Sequence, residues 1–343
     1  MTPRERLAAL LRNPDAWARQ SHARDIMTAR AVAGMQARGI ALWRQATAKI
    51  VGAVASALAS MDRTAAATTG FGAGVPAGVG QAIDHEVRQA TASILRDITD
   101  GAGRIGRSES EWAAKAIAKV AGSRPQAPTY VPPSAGYLGE RTETWFRKML
   151  QDPAASAAKA WVQRGLAENL TTDEIIRGLR GTRKSKYTDG ILSTKPVASI
   201  RALVRTSATE AAARAREGEL RAHGVTHVVY VATLDTRVSR ICASLDGQVF
   251  PIGSGPRPPQ HPNCRSTVMP HGEDPETRAS EDGPIRWQPA TEWLEGADKE
   301  TQDRVLGKRV GAAFRAGKLT VDQTIGPDMQ PLTIEQLELA GLL

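Results

Sequence analysis

Apolar residues recur through the first third of the chain at the spacing of an α-helix. Ile40, Trp43, Ile50, Val54, Leu58 and Met61 fall on one stripe, and Val79, Ile83, Val87, Ala90, Ile94 and Ile98 on a second. Long helices that pack against each other or against a partner are the consequence. The stretch TTGFGAGVPAGVG, Thr68 to Gly80, separates the stripes, and its glycines predict a flexible loop. A second break, GSRPQAPTYVPPSAG from Gly122 to Gly136, is rich in proline, which removes backbone donors that helix or sheet would use.

Beyond that break the pattern predicts shorter elements. NLTTDEIIRGLRG carries a capping box, Thr171 with Glu174, and predicts a short helix ending near Gly178 or Gly181. Residues 196–222 place Ile200, Leu203, Val204, Ala208, Ala211 and Ala215 on one face, which predicts a single long helix stopped near Gly224. The period then changes. VTHVVYVATLD and GQVFPIG are rich in β-branched residues and flank LDG, so a small sheet with a turn is expected there. Near the C-terminus, Val305, Leu306, Val310, Ala313 and Phe314 predict a helix with Gly317 as its left-handed cap. Thr333 with Gln336 forms a second capping box, and Leu332 with Leu337 a hydrophobic staple. The fold class expected is α+β and predominantly α-helical. Its parts are a helical N-terminal region over 1–121, a linker over 122–136, a core with a long helix and a small antiparallel sheet over 137–275, and a helical tail over 276–343.

Charge adds a direction to this picture. The chain of 343 residues carries a formal net charge of +9. Residues 1–230 hold 33 Lys and Arg against 20 Asp and Glu, and residues 231–343 hold 12 against 16. The basic excess in the first two thirds predicts weak, sequence-independent attraction to polyanions. Arg177, Arg180, Arg183, Lys184 and Lys186 are the candidate contacts, and an ordinary solvated loop is the alternative. Aromatic residues make up 4% of the chain, which argues against base-stacking platforms. No stretch resembles a transmembrane span or a cleaved signal peptide, so a soluble chain made in the cytosol is expected.

The chemistry concentrates in two segments. Cys242 and Cys264 are the two cysteines, and Cys264 follows His261 in RPPQHPNCRSTVMP. Two thiols and an imidazole are the donor types zinc prefers in structural sites. Pro258, Pro259 and Pro262 restrain the loop. A fourth ligand is missing; Asp235, Asp246 and His271 are candidates, and Ser266 stands where a further cysteine would complete the set. A disulfide between the cysteines, or packed thiols with His261 bonded to the backbone, remains open beside the metal reading. No P-loop, dinucleotide fingerprint or His-Glu-x-x-His motif is present. Asp235 and Asp246 flank a turn, where Asp-Gly is ordinary hairpin chemistry.

These motifs, taken in order, resemble the phage minor head, or head morphogenesis, proteins that include the Mu F-like group. LVRTSATEAA, Leu203 to Ala212, looks like that family's helix, and ATLDTRVSRICASLDGQVFPIGSGPRPPQHPNCRSTVMP, Ala232 to Pro270, like its signature. QDRVLGKRVGAAFRAGKLTVDQ and PLTIEQL look like its tail, so the likeness spans about residues 150–343. The motif positions are Arg205, Thr206, Asp235, Asp246, Gly247, Pro258, Pro259, Pro262, Asn263 and Arg265. Many relatives end the signature Cys-Arg-Cys; here it reads Cys264-Arg265-Ser266.

The resemblance implies a structural protein of a tailed-phage or prophage head and not an enzyme. It implies few copies near the portal vertex, with the portal, other head proteins and packaged double-stranded DNA as partners and no membrane during assembly. The chain would be made in the host cytoplasm and end in the virion, with some relatives tied to DNA ejection. The competing class is a metal-dependent nuclease or a Cys-based transferase built on Cys242, His261 and Cys264.

Overall fold

The computed structural model describes residues 14–61, 74–120, 124–130, 140–271, 279–280, 283–284, 290–328 and 330–343. Of the glycine-rich stretch Thr68 to Gly80, residues 68–73 lie outside the described residues, and residues 77–80 open the second long helix where a loop was expected; of the proline-rich stretch, residues 124–130 alone are described. The fold is predominantly helical with a small antiparallel sheet, as the sequence pattern predicts.

The elements follow the chain. Two long helices, α1 (Pro14–Ala59) and α2 (Ala77–Val120), come first. A short α3 (Thr142–Phe146) passes through a π-turn over Arg147–Gln151 into α4 (Asp152–Ala167), and α5 (Thr172–Arg180) and α6 (Thr194–Ala222) follow. Then come β1 (His227–Val231), α7 (Arg240–Leu245), β2 (Val249–Pro251) and β3 (Thr267–His271). A two-residue pair, β4 (Ala279–Ser280) and β5 (Gly283–Pro284), leads to α8 (Ala290–Glu295), α9 (Lys299–Leu306), α10 (Lys308–Arg315), a 3-10 turn at Asp322–Thr324 and α11 (Ile334–Leu339).

The chain divides into two compact units, each discontinuous in sequence. One comprises residues 29–103 and 134–208. Its core is the two stripes read from the sequence: Trp43, Ile50, Val54 and Leu58 of α1 and Val79, Ile83, Val87, Ile94 and Ile98 of α2 are all buried. Phe146, Leu150, Val162, Ile175, Leu179, Leu192, Ile200 and Leu203 complete it. The stripes are thus covered within the unit. Ile40 and Met61, at the stripe margins, are only half-buried. Trp43 also satisfies its indole, donating from Nε1 to the Leu192 carbonyl at 2.6 Å.

The other unit comprises residues 1–28, 104–133 and 209–343. Its sheet has the order β2-β1-β3, with both neighbours antiparallel to β1. Pro270 and Pro251 therefore sit on edge strands, where the missing N–H is tolerated. Beneath the helices, Glu109 is wholly buried and is held by Arg24 Nε at 2.8 Å and by Arg216 Nη2 at 2.6 Å. The Arg216 guanidinium also lies over the Trp112 ring, 5.0 Å from its centroid. The described part of the proline-rich stretch is docked onto this unit. Thr129 donates its N–H and hydroxyl to Glu219 Oε1 at 2.5 and 2.8 Å, and the Tyr130 ring covers Gly106 so closely that a Cβ there would lie 2.2 Å from Cζ.

Two local expectations are refined and a third holds. The strands β1 and β2 pair as foreseen, but α7 intervenes between them in place of a tight hairpin. Gly247, at φ 77°, makes the sharp return, donating to the Tyr230 carbonyl at 2.9 Å. The expected C-terminal helix is two helices, because Gly307 adopts φ 86°, ψ 149° and breaks the run between Leu306 and Lys308. Both capping boxes form as read, Thr171 with Glu174 and Thr333 with Gln336.

Candidate metal centre

Cys242 reaches the centre from α7. Ser239 caps that helix, its Oγ accepting from the Cys242 N–H at 3.1 Å, so the cysteine sits in the first turn. His261 and Cys264 come from the segment HPNC, where the Cys264 N–H donates to the His261 carbonyl at 3.1 Å. Pro262 and Asn263 are the inner residues of that turn, and Asn263 has φ 67°. Proline followed by a left-handed Asn is the requirement of a type II turn, and the turn sets the first and fourth residues side by side. Pro258 and Pro259, joined by a cis peptide bond, are buried just before it. The prolines and Asn263 therefore give His261 and Cys264 one direction.

The side chains converge. Cys242 Sγ lies 3.2 Å from His261 Nε2 and 3.7 Å from Cys264 Sγ, and the three ligand atoms all lie within 4.8 Å of one another. The two sulfurs are unbonded, and both thiols are buried. His261 Nδ1 donates to the Pro262 carbonyl at 2.8 Å, which aims Nε2 inward. Tyr230, fully buried on the central strand, places its hydroxyl 3.3 Å from Cys242 Sγ and 3.9 Å from Cys264 Sγ.

The electrostatics are asymmetric. The Cys264 thiol is held well below its ordinary range by a hydrogen bond from Cys242, with His261 and the backbone N–H groups of Gln260 and Ser266 adding to this against the cost of burial. The Cys242 thiol moves up, because it donates to Cys264 and is itself buried. Burial pulls the His261 ring down, but the hydrogen bond and charge of Cys264 together with the Pro262 carbonyl outweigh it, so its net shift is up. The inward-facing Nε2 lies 3.2 Å from Cys242, yet the charge that raises the ring is that of Cys264, the more acidic thiol.

Two thiols and an inward-facing imidazole at these distances can hold a metal ion. Tetrahedral bonds of about 2.3 Å to sulfur and 2.0 Å to nitrogen separate two sulfurs by about 3.8 Å, and sulfur from nitrogen by about 3.5 Å. The 3.7 Å between the sulfurs matches, and the 3.2 Å between Cys242 and His261 is a few tenths short, a difference that a small side-chain rotation covers.

The expected fourth ligands are placed elsewhere. Among the described residues the ligand group consists of Cys242, His261 and Cys264 alone. Asp235 is gripped by Arg265, Nη1 to Oδ2 and Nη2 to Oδ1 at 2.6 Å each, and its carboxyl is pushed far down, chiefly by that pair. Asp246 Oδ1 accepts from the Ala232 N–H at 2.7 Å, so it ties the end of α7 to the strand before it. His271 stands opposite His227 at the end of β3. Arg205 and Thr206 lie on α6 in the other unit, where Thr206 is buried and its hydroxyl donates to the Ala202 carbonyl at 2.8 Å. Sequence reasoning missed Tyr230, whose place opposite the thiols follows only from the pairing of β1.

Residues 162–269 match the family described as Phage Mu protein F like protein. That segment is Mu F-like. The matched segment runs from within α4 through α5, α6, β1, α7 and β2 into β3, and so contains the whole Cys242, His261 and Cys264 group. No curated protein and no solved structure matches the chain. The family is one of phage head proteins, which fits a structural role. Among the described residues no helix is long and apolar enough to cross a membrane.

The basic candidates also fall inside the Mu F-like segment. Arg177 and Arg180 are exposed on α5, and Arg183, Lys184 and Lys186 are exposed on the loop that follows. That loop is internally tied. Asp189 accepts from the Thr182 N–H at 2.7 Å and from the hydroxyls of Thr182 and Ser185. Hydrogen bonds from Ser185 and then Thr182 hold its carboxyl down at about 2. Lys186 and Tyr187 both adopt left-handed backbone, φ 54° and 61°, and Arg180 lies over the Tyr187 ring at 5.2 Å. Asp189 is thus occupied within the loop, and the cations point outward.

Proposed function

We propose that this protein is a minor head protein of a tailed phage or prophage, acting at the portal vertex during head assembly. The observation that carries the reading is the Mu F-like match over residues 162–269. The portal and neighbouring head proteins are its protein partners, and packaged double-stranded DNA is its nucleic-acid partner, with a role in ejection. It is made in the host cytoplasm and ends in the virion.

Within that role, Cys242, His261 and Cys264 serve as a zinc staple. The donor set and its spacing support zinc, and the staple joins α7 to the loop before β3, two segments with little regular structure between them. The tied loop after α5 supplies the DNA contacts, because its cations are exposed and its acid is internally paired. A Cys-based transferase is disfavoured, since Cys264 is fully enclosed and Cys242 nearly so. A nuclease is disfavoured because Asp235 is committed to Arg265.

Quantitative mass spectrometry of purified particles tests the reading. The chain should copurify with heads in a small fixed ratio to the portal subunit. Its recovery only in tails, or only outside particles, would remove the assignment.

A further inference from the structure

The three ligand atoms leave one corner of a tetrahedral ion without a protein donor, and the surroundings identify that corner. A shallow opening with room for about one water lies over the group, lined by Thr233, Arg237, Ser239 and Asn263 and floored by Cys242, His261 and Ser266. Ser266 is buried, and its side chain hydrogen-bonds Tyr230 and Cys242, so its Cβ already points at the ligand group. Tyr230 is not among the residues that line the opening. Asp235 and Asp246, the nearest carboxylates in sequence, are engaged with Arg265 and with the Ala232 N–H.

Structural zinc sites are closed by four protein ligands, whereas three ligands and a solvent-facing corner leave an exchangeable position. From this we infer that the metal at Cys242, His261 and Cys264 has an open fourth position beside Ser266, occupied by water and exchangeable for a small imidazole or thiol ligand. The opening holds about one water, so only a small ligand that binds through one atom and extends towards solvent can take that place. A single substitution, Ser266→Cys, then closes the site, because the thiol replaces the hydroxyl at the same Cβ. This inference rests on the metal reading above and is separable from it.

The test uses the full-length protein loaded with cobalt(II) in place of zinc, with metal content by elemental analysis and coordination by absorption spectroscopy. One cobalt per chain with tetrahedral bands is expected, and adding imidazole or 2-mercaptoethanol should shift those bands. Ser266→Cys should add sulfur-to-cobalt charge-transfer intensity and lose the response to added ligand. It should also slow metal loss to a chelator by more than about tenfold, the lower end of what even outer-shell changes do to metal affinity. Should that variant fail to fold, the titration of the native protein decides alone. One bound cobalt with a spectrum indifferent to both ligands would overturn the open corner and leave the metal standing. A protein that takes up no cobalt or zinc would overturn both.

Discussion

Arg265 holds Asp235 through two parallel hydrogen bonds of 2.6 Å, and the Asp235 side chain keeps 34% of its exposure. The pair locks the residue after Cys264 to the loop that leads into α7, so it braces the ligand group from outside. Asp235→Asn should therefore destabilise the protein by about 1–2 kcal/mol, since hydrogen bonds to charged groups contribute about 1.5–3 and partial exposure screens part of that. The folded carboxyl titrates below the unfolded one, so the contribution is complete above the unfolded value near about 4, shrinks as pH falls below that, and is lost only through the lower folded value. Urea unfolding at pH 7 and pH 3 measures this: the gap between native and variant should be largest at pH 7. An unchanged gap would show that Arg265 does not favour the charged form.

Much of this architecture is legible in the sequence, and the exceptions have physical causes. The α1 and α2 stripes and both capping boxes are local patterns, and they form as written. The helix α7 is six residues long and its Ser239 cap lacks the Glu or Gln partner that completes a box, so neither periodicity nor capping announces it. Gly307 inside an apolar run reads as a tolerated helical glycine until its φ of 86° is seen. Cys242, His261 and Cys264 are recognisable by donor type and by the HPNC turn. Which carboxylates stay away from them depends on Arg265 and the Ala232 N–H, and spacing says nothing of either.

Burial separates two kinds of ion pair in this protein. Glu109 is wholly enclosed between Arg24 and Arg216, while Glu300 pairs with Arg304 on an open helix face. Glu109→Gln should cost about 3–5 kcal/mol, because it leaves buried guanidinium charge without its counterion. Glu300→Gln should cost less than about 0.5 kcal/mol. Chemical denaturation of the two variants side by side checks the contrast, and equal losses would refute it.

Removal of metal and removal of a ligand should converge. Cys264→Ala should lower stability by more than about 2 kcal/mol, as loss of a metal site does. A strong chelator should lower the native protein towards the same level and leave the variant unmoved. Thermal unfolding with and without chelator reads this directly, and a native protein indifferent to chelator would count against the staple.

Reversing charge on the tied loop should act on DNA binding alone. Replacing Arg183, Lys184 and Lys186 by Glu should weaken binding equally for all duplex sequences and lower the salt slope by about two to three, near 0.9 for each lost phosphate contact. Fluorescence anisotropy across a salt series measures it. An unaltered slope would move the DNA contact elsewhere on the chain.

The position of the chain in the particle is the most direct test, read by asymmetric cryo-electron microscopy of an intact virion without imposed symmetry. Density for α5, α6 and the β2-β1-β3 sheet, in few copies beside the portal and next to packaged DNA, is the expected result. The same fold found in the tail or throughout the main capsid lattice, or a complete head that lacks it, would contradict a minor head protein of the portal vertex.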